Sequence, residues 1–116
     1  MAVTIYGIKT CDTVRKARAF LDGEGIPHRF HDFRVEGLDA ALLDRWIDAL
    51  GWEKLLNKTS TSFRALPEDR KAVSDAAAAK ALMLEQPTMI KRPVLDADGR
   101  LTVGFKPEAW KSFVGR

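Results

Sequence analysis

The first 33 residues carry a strand, helix, strand pattern that restricts the possible folds more than any other feature of the chain. Residues 3–8 form a short apolar run rich in β-branched and aromatic side chains, which is typical of a buried strand. A helical periodicity follows over 12–22, and glycine and proline end it between 23 and 27. Side chains alternate again over 28–33. Two strands joined by one helix of this length form a βαβ unit, so the strands should be parallel and their connection right-handed.

The rest of the chain predicts several helices, then a hairpin and a final helix. The predicted elements are a helix over 39–51 with one more turn after it, a loop over 57–62, a helix over 74–85, a strand over 89–91, a hairpin pairing 94–95 with 101–103, and a helix that opens at Pro107. Asp12 or Thr13 is expected to cap the first helix, and all three tryptophans are expected to lie in the core. This order is that of an α/β protein, a thioredoxin-like (glutaredoxin-like) mixed β-sheet with a helical insertion at about 38–86, in a single domain over 1–116.

Composition excludes several functions. One cysteine in 116 residues makes neither an internal disulfide nor a cysteine-rich zinc site, and no other residues show metal-ligand spacing. The formal charge of +3 favours anionic ligands, without the basic stripe of a nucleic-acid binder. No apolar run approaches the roughly 18 residues of a membrane span, and no targeting segment is visible. We therefore expect a cytoplasmic protein that binds neither membranes nor nucleic acids. In the reducing cytoplasm an unpaired thiol stays reduced.

Cys11 is the candidate nucleophile, because it stands where the first strand runs into the first helix. Unpaired amides and the helix dipole stabilise negative charge at such a position, which favours the thiolate. Arg15 lies four residues on, one helical turn along the same side, so both could face one small anion. The alternative is an inert cysteine that packs like a small apolar residue. The predicted catalytic residues are Cys11 and Arg15, and the flanking residues predicted to contact substrate are Lys9, Thr10, Asp12 and Thr13.

Arg92 and Pro93 are a second candidate element, directly after the short strand predicted over 89–91. Proline restricts the residue before it to extended geometry, which would place backbone at the lip of a site. The alternative is an ordinary proline on an edge strand, and the residues alone leave open whether the peptide bond is cis.

Five segments run in order over nearly the whole chain: IYGIKTCDTVRKA at 5–17, LLNK at 55–58, LEQP at 84–87, IKRPV at 90–94 and VGF at 103–105. Together they resemble the arsenate-reductase-like (ArsC) family, and within it the branch of small thiol reductases that includes YffB and Spx. The resemblance implies a thioredoxin-like fold with the ArsC-type helical insertion and a redox nucleophile at Cys11. It also implies that Arg92, before a cis Pro93, lines an oxyanion pocket.

The arsenate reductases of this family use a thiolate to attack arsenate, hold the oxyanion with three arginines, and complete the reduction with glutathione and glutaredoxin. Cys11 and Arg15 match their Cys-x-x-x-Arg motif, and Arg92 matches one oxyanion arginine. A second arginine position is occupied here by Asn57 beside Lys58, and the third appears as Lys106. Their upstream histidine falls at Gly7.

These departures favour a thiol substrate over arsenate. Arginine offers a bidentate fork to a tetrahedral oxyanion, whereas lysine is a point charge and asparagine is uncharged. We therefore expect a glutathione-dependent thiol reductase with no tightly bound cofactor, with glutathione as co-substrate and glutaredoxin as a further candidate partner. The alternatives are an arsenate reductase coupled to glutathione and glutaredoxin, a regulator that binds RNA polymerase as Spx does, and an inert thioredoxin-like domain. The regulators commonly carry Cys-x-x-Cys, where this chain has Val14.

Overall fold

The computed structural model describes residues 2–114, which divide into two compact units. The first consists of residues 2–36 together with 92–114, and it contains the β-sheet. The second, Gly37–Lys91, is helical, and the predicted insertion at about 38–86 falls inside it. The helices are, in chain order, α1 (Asp12–Gly23), α2 (Phe33–Glu36), α3 (Ala40–Leu50), α4 (Trp52–Leu55), α5 (Thr61–Arg64), α6 (Glu68–Lys71), α7 (Ala76–Glu85) and α8 (Pro107–Phe113), with a 3₁₀ turn at Pro87–Met89 before the last.

The sheet of the first unit is mixed, as predicted. Its strands are β1 (Val3–Gly7), β2 (Arg29–Asp32), β3 (Val94–Ala97) and β4 (Arg100–Val103), in the order β2-β1-β3-β4. β1 and β2 are parallel, which confirms the predicted βαβ unit, and the other two pairings are antiparallel. Asp98 and Gly99 connect β3 to β4 with φ angles of 55° and 88°, the left-handed geometry that suits a two-residue hairpin. This topology is thioredoxin-like.

One face of the sheet carries the core of this unit. Val3 and Ile5 alternate along β1, and their register partners Ala97 and Leu95 lie beside them on β3. They belong to one buried cluster with Ala17 and Leu21 of α1, and with Ile26, Trp110 and Val114. Because strand side chains alternate between the two faces, this pattern puts α1 and α8 on the same side of the sheet. The strand ends are thereby held in place for the loop that carries Cys11.

The two longest helices of the second unit lie within the predicted ranges, Ala40–Leu50 inside 39–51 and Ala76–Glu85 inside 74–85. The Asp39 carboxylate accepts the Leu42 N–H at 3.1 Å and caps α3, and Gly51, with φ of 86°, ends it. Asp75 caps α7 in the same way, accepting the Ala78 N–H at 2.8 Å. Aspartate is among the strongest N-caps because its side chain satisfies amides that have no partner within the helix. None of the helices in the described part of the chain is long and apolar enough to cross a membrane.

Two predictions about the ends of α1 and α5 are wrong. The N-cap of α1 is Cys11, which precedes both predicted caps, Asp12 and Thr13. The predicted loop over 57–62 ends early, because the Ser60 hydroxyl accepts the Phe63 N–H at 3.2 Å and starts α5 at Thr61. Both errors arise at short turns, where a single hydrogen bond decides the boundary.

The predicted strand over 89–91 is also wrong. Met89 ends the 3₁₀ turn, and the Ile90 N–H bonds back to the Pro87 carbonyl at 3.0 Å, so the backbone is still turning there. Ile90 makes only an isolated antiparallel bridge with Leu56.

Trp52 differs from its prediction as well. Trp46 and Trp110 are fully buried, as expected, whereas Trp52 is only partly buried and lines a cavity.

Candidate functional site

Cys11 lies at the start of α1, in an extended backbone conformation (φ −80°, ψ 123°). Its N–H bonds to the Ile8 carbonyl at 3.2 Å, which closes the turn after β1, and its carbonyl accepts the Arg15 N–H at 3.0 Å, the first bond of the helix. No side chain caps α1. Cys11, which is partly exposed, therefore stands at the positive end of the α1 dipole, where a negative charge is stabilised. This position is the predicted one.

The Arg15 side chain braces the turn that precedes Cys11. Its guanidinium donates to the Thr10 carbonyl at 3.2 Å, to the Lys9 carbonyl at 3.4 Å, and to the Asp12 carboxylate at 3.1 Å. Three of its five N–H groups are thus used within the loop, and the ion pair with Asp12 offsets part of its charge. The Arg15 guanidinium is thus bonded within the loop, an arrangement that the sequence did not indicate.

Asp32 and Arg34 also hold the Cys11 loop, and the sequence reasoning missed both. Asp32 ends β2, and its carboxylate accepts the Lys9 N–H at 3.1 Å and the Arg34 N–H at 2.8 Å. The Arg34 guanidinium donates to the Thr10 hydroxyl at 3.3 Å. A signal was available, because the carboxyl ends of parallel strands meet at one edge of a sheet. The residue that ends β2 is therefore expected beside the loop that leaves β1.

Gly7 of β1 lies directly against Val14 of α1. A Cβ atom at Gly7 would lie 2.6 Å from Cγ2 of Val14, which is fully buried. A side chain at Gly7 would force Val14 to move, at a cost in packing. A histidine at this position, as in the arsenate reductases, would therefore require the contact between β1 and α1 to be repacked.

Arg92, Pro93 and Lys106 lie at the same edge of the sheet as the Cys11 loop. Tyr6 of β1 is paired with Val94 of β3, so the end of β1 adjoins the start of β3. The peptide bond between Arg92 and Pro93 is cis, and the Pro93 carbonyl accepts the Gly104 N–H at 2.8 Å. Lys106 follows two residues later as the exposed N-cap of α8. Pro93 is buried and Arg92 is partly exposed.

Asn57 and Lys58 belong to the second unit. The Asn57 side-chain oxygen accepts both the N–H and the hydroxyl of Thr59, at 3.1 and 2.6 Å, and so orders the turn after α4. Lys58 is exposed, with its ammonium 5.9 Å from the centre of the Trp52 ring. Both residues line a cavity of this unit together with Lys91. Within residues 2–114, no three His, Cys, Asp or Glu side chains lie close enough together to hold a metal ion.

The fold and the site define a thioredoxin-like protein with one thiol at the start of its first helix and a cis proline at the same edge of the sheet. The sequence profile of the ArsC family matches residues 6–113. The chain belongs to the ArsC family.

Relatives and solved structures agree with this assignment. An uncharacterized protein of Haemophilus influenzae is 42% identical over 110 residues, which cover 95% of this chain and 96% of the relative. The structure of a YFFB protein is 48% identical, covers 97% of this chain and 99% of its own, and superposes with a TM-score of 0.93. An arsenate reductase (ArsC) related protein from Brucella melitensis is 54% identical over 100% of this chain and 97% of its own, with a TM-score of 0.78. The global transcriptional regulator Spx of Listeria innocua is 27% identical over 98% of this chain and 88% of its own.

Proposed function

We propose that this protein is a cytoplasmic, glutathione-dependent thiol reductase that uses Cys11 as its nucleophile. The observation that carries the proposal is the place of Cys11, partly exposed at a helix start that no side chain caps. The positive end of the helix dipole and the free amides of the first turn favour a thiolate at this position. Membership of a family that includes arsenate reductases supports the wider class, a thiol-dependent oxidoreductase.

The proposed reaction is thiol exchange in two steps. The Cys11 thiolate attacks the glutathione sulfur of a mixed disulfide, RS–SG, which forms Cys11–S–SG and releases RS⁻. A second glutathione thiolate then attacks the sulfur of the bound glutathione, which forms oxidised glutathione and restores the Cys11 thiolate. The substrate gains two electrons, and two glutathione units lose them. With one cysteine in the chain, the second thiol comes from outside the protein.

Three features favour this reaction over arsenate reduction. Arg15 is committed to the Asp12 carboxylate and to two backbone carbonyls. Gly7 takes the place of the histidine of the arsenate reductases, and a side chain there would clash with Val14. Lys106 and Asn57 stand at the positions of two of the three oxyanion arginines, and neither side chain offers a bidentate guanidinium. Arg92 keeps the role of holding a substrate carboxylate, with the backbone of Pro93 beside it.

The test is mass spectrometry after treatment with oxidised glutathione at pH 6 and pH 8. The wild-type protein should gain one glutathione, released again by reduced glutathione, and the adduct should map to Cys11 and be absent from Cys11→Ser. An adduct that fails to form, or that reduced glutathione does not release, would overturn the proposal.

Two further assays test the alternatives. Arsenite release with glutathione and glutaredoxin, at the rate of an authentic arsenate reductase assayed in parallel, would favour arsenate as the substrate. Co-purification of RNA polymerase subunits with the tagged protein would favour the role of the Spx relatives.

A further inference from the structure

The cavity of the second unit is formed by α4, the turn that follows it, and Lys91. Its volume is about 370 Å³, within the roughly 300–1,000 Å³ range of small-molecule sites. Its lining residues are Trp52, Glu53, Leu56, Asn57, Lys58, Thr59 and Lys91. The proposed reaction at Cys11 does not use Trp52, Glu53 or Lys91.

Backbone hydrogen bonds fix the two walls of this cavity against each other. Ile90 bridges Leu56, the Lys91 N–H donates to the Leu55 carbonyl at 2.7 Å, and the Asn57 N–H donates to the Met89 carbonyl at 2.7 Å. These bonds join segments more than 30 positions apart in the sequence. A ligand therefore meets walls that are already in place, which lowers the entropy lost on binding.

The lining residues present two positive charges, one negative charge and an aromatic surface. Lys58 and Lys91 carry the ammonium groups, and Glu53 carries the carboxylate. The Asn57 side-chain oxygen is already used by Thr59, so Asn57 offers its NH₂ group as a donor. The complementary ligand carries two carboxylates and one ammonium on a short polar backbone.

Glutathione has this pattern of charge. Its γ-glutamyl end carries an ammonium and a carboxylate on one carbon atom, and its glycine end carries a second carboxylate. We propose that this cavity binds glutathione non-covalently, with its two carboxylates at Lys58 and Lys91 and its ammonium at Glu53. The choice of ligand rests on the proposed function, whereas the binding itself requires no reaction at Cys11.

The experiment uses S-methylglutathione, whose blocked thiol cannot react, titrated by calorimetry into the full chain. Lys58→Gln and Lys91→Gln should each weaken binding roughly threefold to tenfold, since each removes a charged partner of a carboxylate. Lys54→Gln is the matched control, because Lys54 lies on α4, is exposed and does not line the cavity. Equal affinities for Lys54→Gln, Lys58→Gln and Lys91→Gln would overturn the proposal.

Glu53→Gln separates a zwitterion site from a plain anion site. If Glu53 holds the ammonium, Glu53→Gln weakens binding of S-methylglutathione. If the cavity merely attracts anions, removing a negative charge strengthens binding, and the proposal fails.

Trp52 provides a second readout, because it is the partly buried tryptophan while Trp46 and Trp110 are fully buried. Its fluorescence should change with ligand, and Trp52→Phe should remove that change.

A derivative of the probe esterified at the glycine carboxylate tests the second pairing. The wild type should bind the ester more weakly than S-methylglutathione. The variant that lacks the lysine paired with the glycine carboxylate should bind the ester and S-methylglutathione with equal affinity. Equal binding of ester and parent by the wild type contradicts the pairing.

The proposed function and this inference fail in different ways. If S-methylglutathione binds as expected but no glutathione adduct forms on Cys11, only the proposed function is overturned. An adduct on Cys11, with cavity variants that bind the probe like the wild type, removes the inference alone.

Discussion

Replacing Arg15 by alanine tests whether this side chain holds the Cys11 loop through geometry or acts through its charge. The substitution removes the guanidinium bonds to the Thr10 carbonyl, the Asp12 carboxylate and, more weakly, the Lys9 carbonyl. Two of these acceptors belong to the turn that positions Cys11. Without them, the turn keeps the Cys11 N–H bond to Ile8 and the Asp32 bond to Lys9.

The expected loss of stability is small and can be measured. The Arg15 side chain is 60% exposed, so the two shorter bonds contribute at the low end of the usual range, about 0.5 kcal/mol each. The free energy of unfolding should therefore fall by about 1 kcal/mol, which in a chain of this size lowers Tm by about 4 °C. Arg15→Lys should lose nearly as much stability as Arg15→Ala. The lysine ammonium keeps the charge, but it lacks the planar guanidinium that reaches several acceptors at once.

Thermal unfolding followed by circular dichroism measures the change in Tm, with Lys16→Ala as the control. Lys16 is the next residue of α1, carries the same charge and is exposed. Hydrogen exchange should show the Cys11 amide exchanging faster in both Arg15 variants than in the wild type. A wild-type Tm for Arg15→Lys, or an equal loss for Lys16→Ala, would refute the bracing role.

Three further predictions concern packing, capping and pH. Gly7→Ala should lower the free energy of unfolding by about 1–3 kcal/mol, because the new methyl group clashes with Val14. Chemical denaturation should show a smaller loss from Gly7→Ala when position 14 is already alanine. Losses that simply add in the double variant would contradict the clash. Asp75→Ala should cost about 1 kcal/mol through loss of the α7 cap, whereas Asp75→Asn should retain most of the stability in the same measurement. The hydrogen bond and charge of Arg70 lower the pKa of Glu85 from its usual 4.5, so this carboxylate stabilises the fold above that value and loses its contribution as pH falls through the lowered pKa. Glu85→Gln should therefore be less stable than wild type at pH 7 and equal to it in strong acid, and a gap that persists there would contradict this.

The features that could be predicted from the sequence depend on neighbours along the chain. The parallel βαβ unit, the hairpin turn at Asp98 and Gly99, and the Asp39 cap all follow from short-range patterns. The strand predicted over 89–91 failed because the Pro87 turn extends to Ile90, which leaves only an isolated bridge to a distant residue. Which neighbour a short apolar run meets is set by tertiary packing.

The sequence by itself determined the order of the elements, the family resemblance and the position of the one cysteine at a helix start. Periodicity, turn residues and motif spacing are local properties, so they can be recognised without coordinates. Only the tertiary structure decided what the polar side chains do. Asp32 bonds to the Cys11 loop, and Trp52 lines a cavity with Lys91, because these partners come from segments far apart in the chain. The Arg15 partners lie within six residues, but which of the nearby acceptors its guanidinium meets depends on the folded turn.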